Sequence, residues 1–170
     1  MKLNEVSILP LEKKELQLLL ELRNDPTNLK WLENQQLLTE KDQINWFENL
    51  NPNEFQQFMV KYQNEVIGEV HLKDLDPHQK SAEAGIMMHS NAKGTGIAFA
   101  ASYLLLQHAF EVLQLNKVTA KVHSENETIK KYNQFLGFES VNSTHGKFEF
   151  YEMSRAKFPS LQKRILHLFR

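Results

Sequence analysis

The apolar positions of the chain fall into two rhythms. Val6 to Leu11 reads as a short strand ending at Pro10, and Glu12 to Asn24 then carries Leu16, Leu19, Leu20 and Leu22 at helical spacing. Asn24-Asp25-Pro26 breaks that helix. Thr39, with Asp42 three residues on, marks the start of a second helix. Its buried stripe is predicted to be Ile44, Phe47 and Leu50, and Asn51-Pro52-Asn53 ends it. The period then becomes alternating. Phe55, Phe58 and Val60 lead into one strand, Gln63-Asn64 is a turn, Val66 to Leu72 forms the next strand, and Asp74 to Lys80 is a polar loop. Ala82, Ala84, Ile86 and Met88 alternate with Glu83, Gly85, Met87 and His89, which predicts a third strand. From Gly96 to about Gln114 a long helix is apolar on two sides, so it is expected to lie on the sheet and be covered as well. Val118 to Val122 reads as a strand, Asn126 to Leu136 as a short helix stopped by Gly137, and Phe138 to Val141 and Phe148 to Met153 as closing strands. Pro159 to Arg170 is an amphipathic terminal helix.

The order β-α-α-β-β-β-α-β-α-β-β, with no repeat or linker-like stretch, predicts one α/β domain over residues 1–157. The helix at 158–170 is expected to pack on that domain or extend it. A chain of 170 residues is long enough for one full core.

Composition narrows the chemistry. Hydrophobic residues make up 41% and charged residues 24%, and the net charge of -1 gives no bulk electrostatic case for nucleic acid or an anionic membrane. The absence of cysteine removes disulfides, thiolate metal sites and an acyl-cysteine intermediate. No pair of histidines has metal-ligand spacing near acidic partners, so no metal is expected. Met-Lys-Leu-Asn-Glu carries no apolar signal core and no apolar run is long enough to span a bilayer, so a cytoplasmic address is expected.

The most informative stretch is Lys93-Gly94-Thr95-Gly96-Ile97-Ala98, between a strand and the long helix. A glycine loop opening a helix gathers free N–H groups and the positive end of the helix dipole at one point, which suits a pyrophosphate. A P-loop is excluded, because no Gly-x4-Gly-Lys-Ser/Thr string exists. A dinucleotide loop fits poorly, because Phe99 stands at the third glycine position and the nearest acidic residue, Glu111, lies inside the helix. A coenzyme A loop, Gln/Arg-x-x-Gly-x-Gly/Ala, is matched by Lys93, Gly96 and Ala98, with a cation in first place.

With the strand Ser81-Ala-Glu-Ala-Gly-Ile-Met-Met before the loop and Asn126-Glu-Thr-Ile-Lys-Lys-Tyr-Asn-Gln-Phe-Leu-Gly-Phe138 after it, the chain resembles the GNAT superfamily of acetyl-coenzyme A-dependent N-acetyltransferases, over about Val6 to Arg155. The resemblance implies a mixed, mostly antiparallel sheet with splayed central strands, flanked by helices. It implies acetyl-coenzyme A held by the amides of Lys93, Gly94, Thr95, Gly96, Ile97 and Ala98, with Asn126 and Asn133 also at the cofactor. The pantetheine arm would pair with the main chain of Met87 and Met88. Glu83 is the candidate general base, with His71 and His89 as the other groups of suitable chemistry. The family tyrosine that protonates the departing sulfur falls at Asn133 here, while Tyr132 stands one residue, about 100°, earlier. Either Tyr132 faces the cofactor through a re-registered helix or Asn133 hydrogen-bonds there.

The segment Leu22-Arg23-Asn24-Asp25-Pro26, followed by Trp31 and Ile44-x-Trp46-Phe47, resembles nucleotide-linked aminosugar N-acetyltransferases. It is also similar to ribosomal-protein N-terminal and polyamine acetyltransferases. Arg23, Asn24 and Trp31 are thereby assigned to a small-molecule amine acceptor, Arg23 pairing with a phosphate and Trp31 stacking on a base or sugar. The near-neutral chain disfavours a dedicated polyamine site, which would want clustered acids. A non-catalytic coenzyme A-binding module and a homodimer through the terminal helix remain the other possibilities.

Overall fold

The computed structural model describes residues 1–169; of the expected terminal helix, Arg170 lies outside the described residues. Seven strands form one sheet in the order β1-β2-β3-β4-β5-β7-β6. They are β1 (Val6–Pro10), β2 (Phe55–Tyr62), β3 (Glu65–Asp76), β4 (Ser81–Met88), β5 (Lys117–His123), β6 (Glu139–His145) and β7 (Phe148–Ser154). All neighbours are antiparallel except β4 and β5, which run parallel. Alternation sets the two faces. On β4, Ala82, Ala84, Ile86 and Met88 join the main core, while Met87 joins a smaller cluster with Leu19, Leu22 and Met59 on the other face.

On the main-core face lie α4 (Ile97–Gln107, continued by a π turn at His108–Val112), α5 (Glu127–Leu136) and α6 (Phe158–Leu168). The expected double burial of the long helix is met by the sheet beneath it and α6 above, with Ala100, Ala101, Leu105 and Leu106 all buried. The opposite face is covered by α1 (Leu16–Asn24) and α3 (Glu40–Glu48). Between them, α2 (Pro26–Leu29) adds one turn at the segment read from sequence as a break. Asp25 caps it by accepting from Thr27 N (2.7 Å), and Pro26 sits where its missing N–H costs nothing.

Three expectations are corrected. Helical residues before Leu16 form a short 3₁₀ turn, Lys13–Glu15, that leads into α1. The α3 stripe is rotated: Gln43 is buried and Ile44 is exposed, because Gln43 and Trp46 are the α3 residues that line the cavity on that face of the sheet. β3 runs on to Asp76, so the polar loop is only the turn before Ser81.

Candidate functional site

The central feature is a split in the sheet. β4 and β5 pair only through Ser81, Ala82 and Glu83 against Lys117, Val118 and Thr119, and then diverge. His89 N donates to Ile67 O (2.9 Å), so strand alternation turns the Met87 main chain toward β3 and those of Ile86 and Met88 into the split. Of the two methionines expected to offer main-chain contacts, therefore, only Met88 faces the opening, and its carbonyl already accepts from Asn28 Nδ2 (3.2 Å).

A narrow cavity of about 30 Å³ lies on the main-core side of the split, lined among others by Gly85, Ile86, Ser102, Tyr132 and Asn133. The two neighbouring candidates on α5 differ here. The Tyr132 hydroxyl donates to Ala98 O (2.8 Å) and so accepts from Ser102 Oγ (2.7 Å), while its ring stacks on Phe99. Burial pushes its pKa far up. Asn133 is buried, and its Nδ2 has no acceptor among the described residues. A buried donor left open in a cavity asks for a polar ligand there. Asn126 caps α5, its Oδ1 accepting from Ile129 N (3.2 Å).

The loop between β4 and α4 is open. Gly94 (φ +80°) and Gly96 (φ +87°) both take left-handed conformations, and a Cβ on Gly94 would meet nothing within 4 Å. Thr95 Oγ1 donates to Ala92 O (2.7 Å) and accepts from Ile97 N (3.4 Å). Among the described residues, the amides of Gly94, Thr95, Gly96 and Ala98 meet no acceptor. Four unsatisfied donors at a helix start form an anion cradle. The Lys93 side chain turns the other way, donating to Thr27 Oγ1 (2.8 Å) and Asn28 Oδ1 (3.0 Å), and desolvation lowers its pKa. Asn28 thus ties α1, β4 and the loop together, since its Nδ2 also donates to Leu22 O (3.0 Å).

On the other face of the sheet is a cavity of about 220 Å³, lined by Arg23, Leu38, Trp46, Phe55, Gln57, His71 and Met87 among others. Arg23 donates to Asn34 O through Nη2, while Nη1 is buried without an acceptor among the described residues, and desolvation lowers its pKa. Asn24 is a clamp, exchanging two hydrogen bonds with the Leu38 main chain (2.8 and 3.0 Å). Trp31 is not part of this cavity lining; it packs edge-on against His123 at the end of β5. Glu83 lies on this face, ion-paired with Lys73 (2.9 Å).

Sequence reasoning missed Glu69. It is fully buried on β3, accepts from Gln57 Nε2 (2.6 Å) and lies 3.0 Å from His71 Nδ1. The available signal was Glu69-x-His71 inside an apolar strand, which alternation puts on one face. Asn28 was missed as well, and no spacing rule reaches the contacts it makes with Lys93 and Met88. Among the described residues there is no cluster of three or more metal-binding side chains, and no helix is long and apolar enough to cross a membrane.

Comparison with known proteins adds the following. The family model described as "Acetyltransferase (GNAT) domain" matches residues 6–139. The chain is 26% identical over 137 residues to spermidine N(1)-acetyltransferase of Escherichia coli (strain K12), covering 79% of this chain and 73% of that one. It is 35% identical over 81 residues to N-acetyltransferase p20 of Bacillus licheniformis, covering 48% and 46%. The crystal structure of spermidine N-acetyltransferase from Vibrio cholerae, in complex with CoA and spermine, superposes with a TM-score of 0.83 at 20% identity, over 92% of this chain and 99% of that one.

Proposed function

Given that the chain belongs to the acetyltransferase (GNAT) family, we propose that it acetylates the primary amine of a small acceptor bearing an anionic group, of which an amino-sugar nucleotide is the leading case. The acetyl-CoA dependence belongs to the family, and the residues present fit that group. The Gly94, Thr95, Gly96 and Ala98 amides would hold its pyrophosphate, the Ile86 and Met88 main chains would pair with the pantetheine arm as an added strand, and Asn133 Nδ2 would donate beside it. Bound there, acetyl-CoA supplies an activated acetyl group at the split.

One observation carries the acceptor reading. Among the residues lining the larger cavity, the only permanent charge is the Arg23 guanidinium, with a buried Nη1 lacking an acceptor, and no aspartate or glutamate is among them. A guanidinium in that state favours a carboxylate or phosphate on the acceptor. The second reading is a polyamine, favoured by the printed names of the Escherichia coli relative and the Vibrio cholerae structure. A polycation meets repulsion from Arg23 and no carboxylate partner in that lining.

The test is thiol release from acetyl-CoA with 4-amino-sugar nucleotides, spermidine and free-amine peptides. Turnover is expected with the anionic acceptors, and Arg23→Ala should raise their KM about 10–100-fold, the loss of one charge-assisted hydrogen bond. The dissociation constant for acetyl-CoA should stay put. Turnover confined to spermidine selects the polyamine reading, and thermal stabilisation by acetyl-CoA without turnover on any amine selects a binding module.

A further inference from the structure

We propose that His71 is the general base of the acetyl transfer and that Glu69 is its positioning residue, a reading that rests on the acetyltransferase function above. The two cavities lie on opposite faces of the sheet; Gly85 of β4 lines the narrow one and His71 of β3 lines the wide one. The register places His71 directly across from Gly85. A Cβ on Gly85 would come within 2.2 Å of His71 Nε2 and 2.3 Å of Cε1, so the Nε2–Cε1 edge of the imidazole occupies the space that a side chain at this one position of β4 would fill. Phe55 stacks on the ring at 5.2 Å.

The other ring nitrogen decides the tautomer. Nδ1 lies 3.0 Å from Glu69 Oε2, and that carboxylate is fully buried and also accepts from Gln57 Nε2. A carboxylate accepts, so Nδ1 carries the proton and Nε2 presents a lone pair. No hydrogen bond among the described residues engages Nε2. When Nε2 takes a proton, the imidazolium forms against a buried negative partner, the arrangement that orients and supports a histidine base. The carboxylate named from sequence as the candidate base is instead ion-paired: Glu83 binds Lys73 at 2.9 Å. Across the net reaction the C–S bond breaks as the C–N bond forms, one proton of the acceptor ammonium ends on the sulfur, and the other passes through His71 Nε2 to solvent.

The charged groups around the ring are few. β3 contributes Glu69 and Lys73, β4 contributes Glu83 and α1 contributes Arg23. β2 contributes only Gln57 and Phe55 and α3 only Gln43 and Trp46 among the lining residues.

The experiment combines kinetics with the spectrum of the protein without cofactor. His71→Gln should lower kcat by about 10²-fold or more and abolish the acid limb of the kcat/KM profile. Calorimetry should show acetyl-CoA binding unchanged. Nitrogen-correlated imidazole spectra of the wild type should show His71 protonated at Nδ1. Glu69→Gln should mix the tautomers in those spectra and lower kcat, with acetyl-CoA binding again unchanged, because nothing then fixes the proton on Nδ1. Full turnover by His71→Gln, an Nε2-protonated ring in the wild type, or an acid limb removed by Glu83→Gln instead overturns the base assignment alone. Absence of turnover by the wild type with any amine overturns the acetyltransferase reading together with it.

Discussion

At the scale of single residues, Tyr132 and Asn133 show how one step along a helix separates two roles. The Tyr132 hydroxyl is held by Ala98 O and Ser102 Oγ, and its pKa stands far above the usual phenol value. Both hydrogen bonds run to α4, so we propose that the side chain braces α5 against α4. Tyr132→Phe should therefore change kcat less than about threefold and lower stability by about 1–2 kcal/mol, the loss of a buried hydrogen-bond pair. A fall of 10²-fold or more in kcat with unchanged melting would restore the proton-donor role expected from the family pattern. Stopped turnover assays and a thermal melt separate the two. The ambiguity was visible in the sequence as a one-residue offset, but the direction of each side chain was not, because it depends on Ser102 and Ala98, some thirty positions away on α4.

At the scale of elements, the parts legible in the sequence are those whose cause is local. The glycines of the loop, the Asn126 cap and the Gly137 stop act within a few residues, and the structure carries each as a left-handed turn or a cap. The parts not legible depend on register. Gly85 faces His71 only because β3 and β4 pair in that alignment, and Met87 turns from the split only because His89 pairs with Ile67. Likewise α3 buries Gln43 instead of Ile44, since the wide cavity on that side takes Trp46 and Gln43 as walls. The loop itself gives a direct test. Gly96 sits at φ +87°, where a β-branched residue is strained by about 1–3 kcal/mol, yet the nearest atom to an added Cβ is 3.4 Å away, the mobile end of Met1. Gly96→Val should thus cost a few degrees in melting temperature while weakening acetyl-CoA binding at least about tenfold, because the cradle amides re-aim. Calorimetric titration beside a melt reads both, and an unchanged affinity would remove the loop from the cofactor site.

At the scale of the whole molecule, α6 is part of the core. Phe158, Leu161 and Ile165 are buried in the main cluster, and Phe158 stacks on Tyr103 of α4. Those residues face the α4 side of the core, while Leu166 and Leu168 near the end of the helix are exposed. The far end of α6 also brings Phe169 within 3.9 Å of a Cβ placed on Gly96, so helix docking and loop geometry are neighbours in space. Leu161 is 0% exposed within the main core, and its truncation leaves a cavity there that close-packed neighbours cannot fully close. Leu161→Ala should cost about 2–5 kcal/mol, which for a chain of this size is a fall of about 5–15 °C in melting temperature. Acetyl-CoA at about 100 times its dissociation constant adds about 2.7 kcal/mol to the folded state and should recover much of that fall if the cradle survives. Melts of the variant with and without the cofactor read both quantities. An unshifted melt would mean that α6 is not docked. A large shift that acetyl-CoA fails to offset would mean that the loop needs α6 in place to bind.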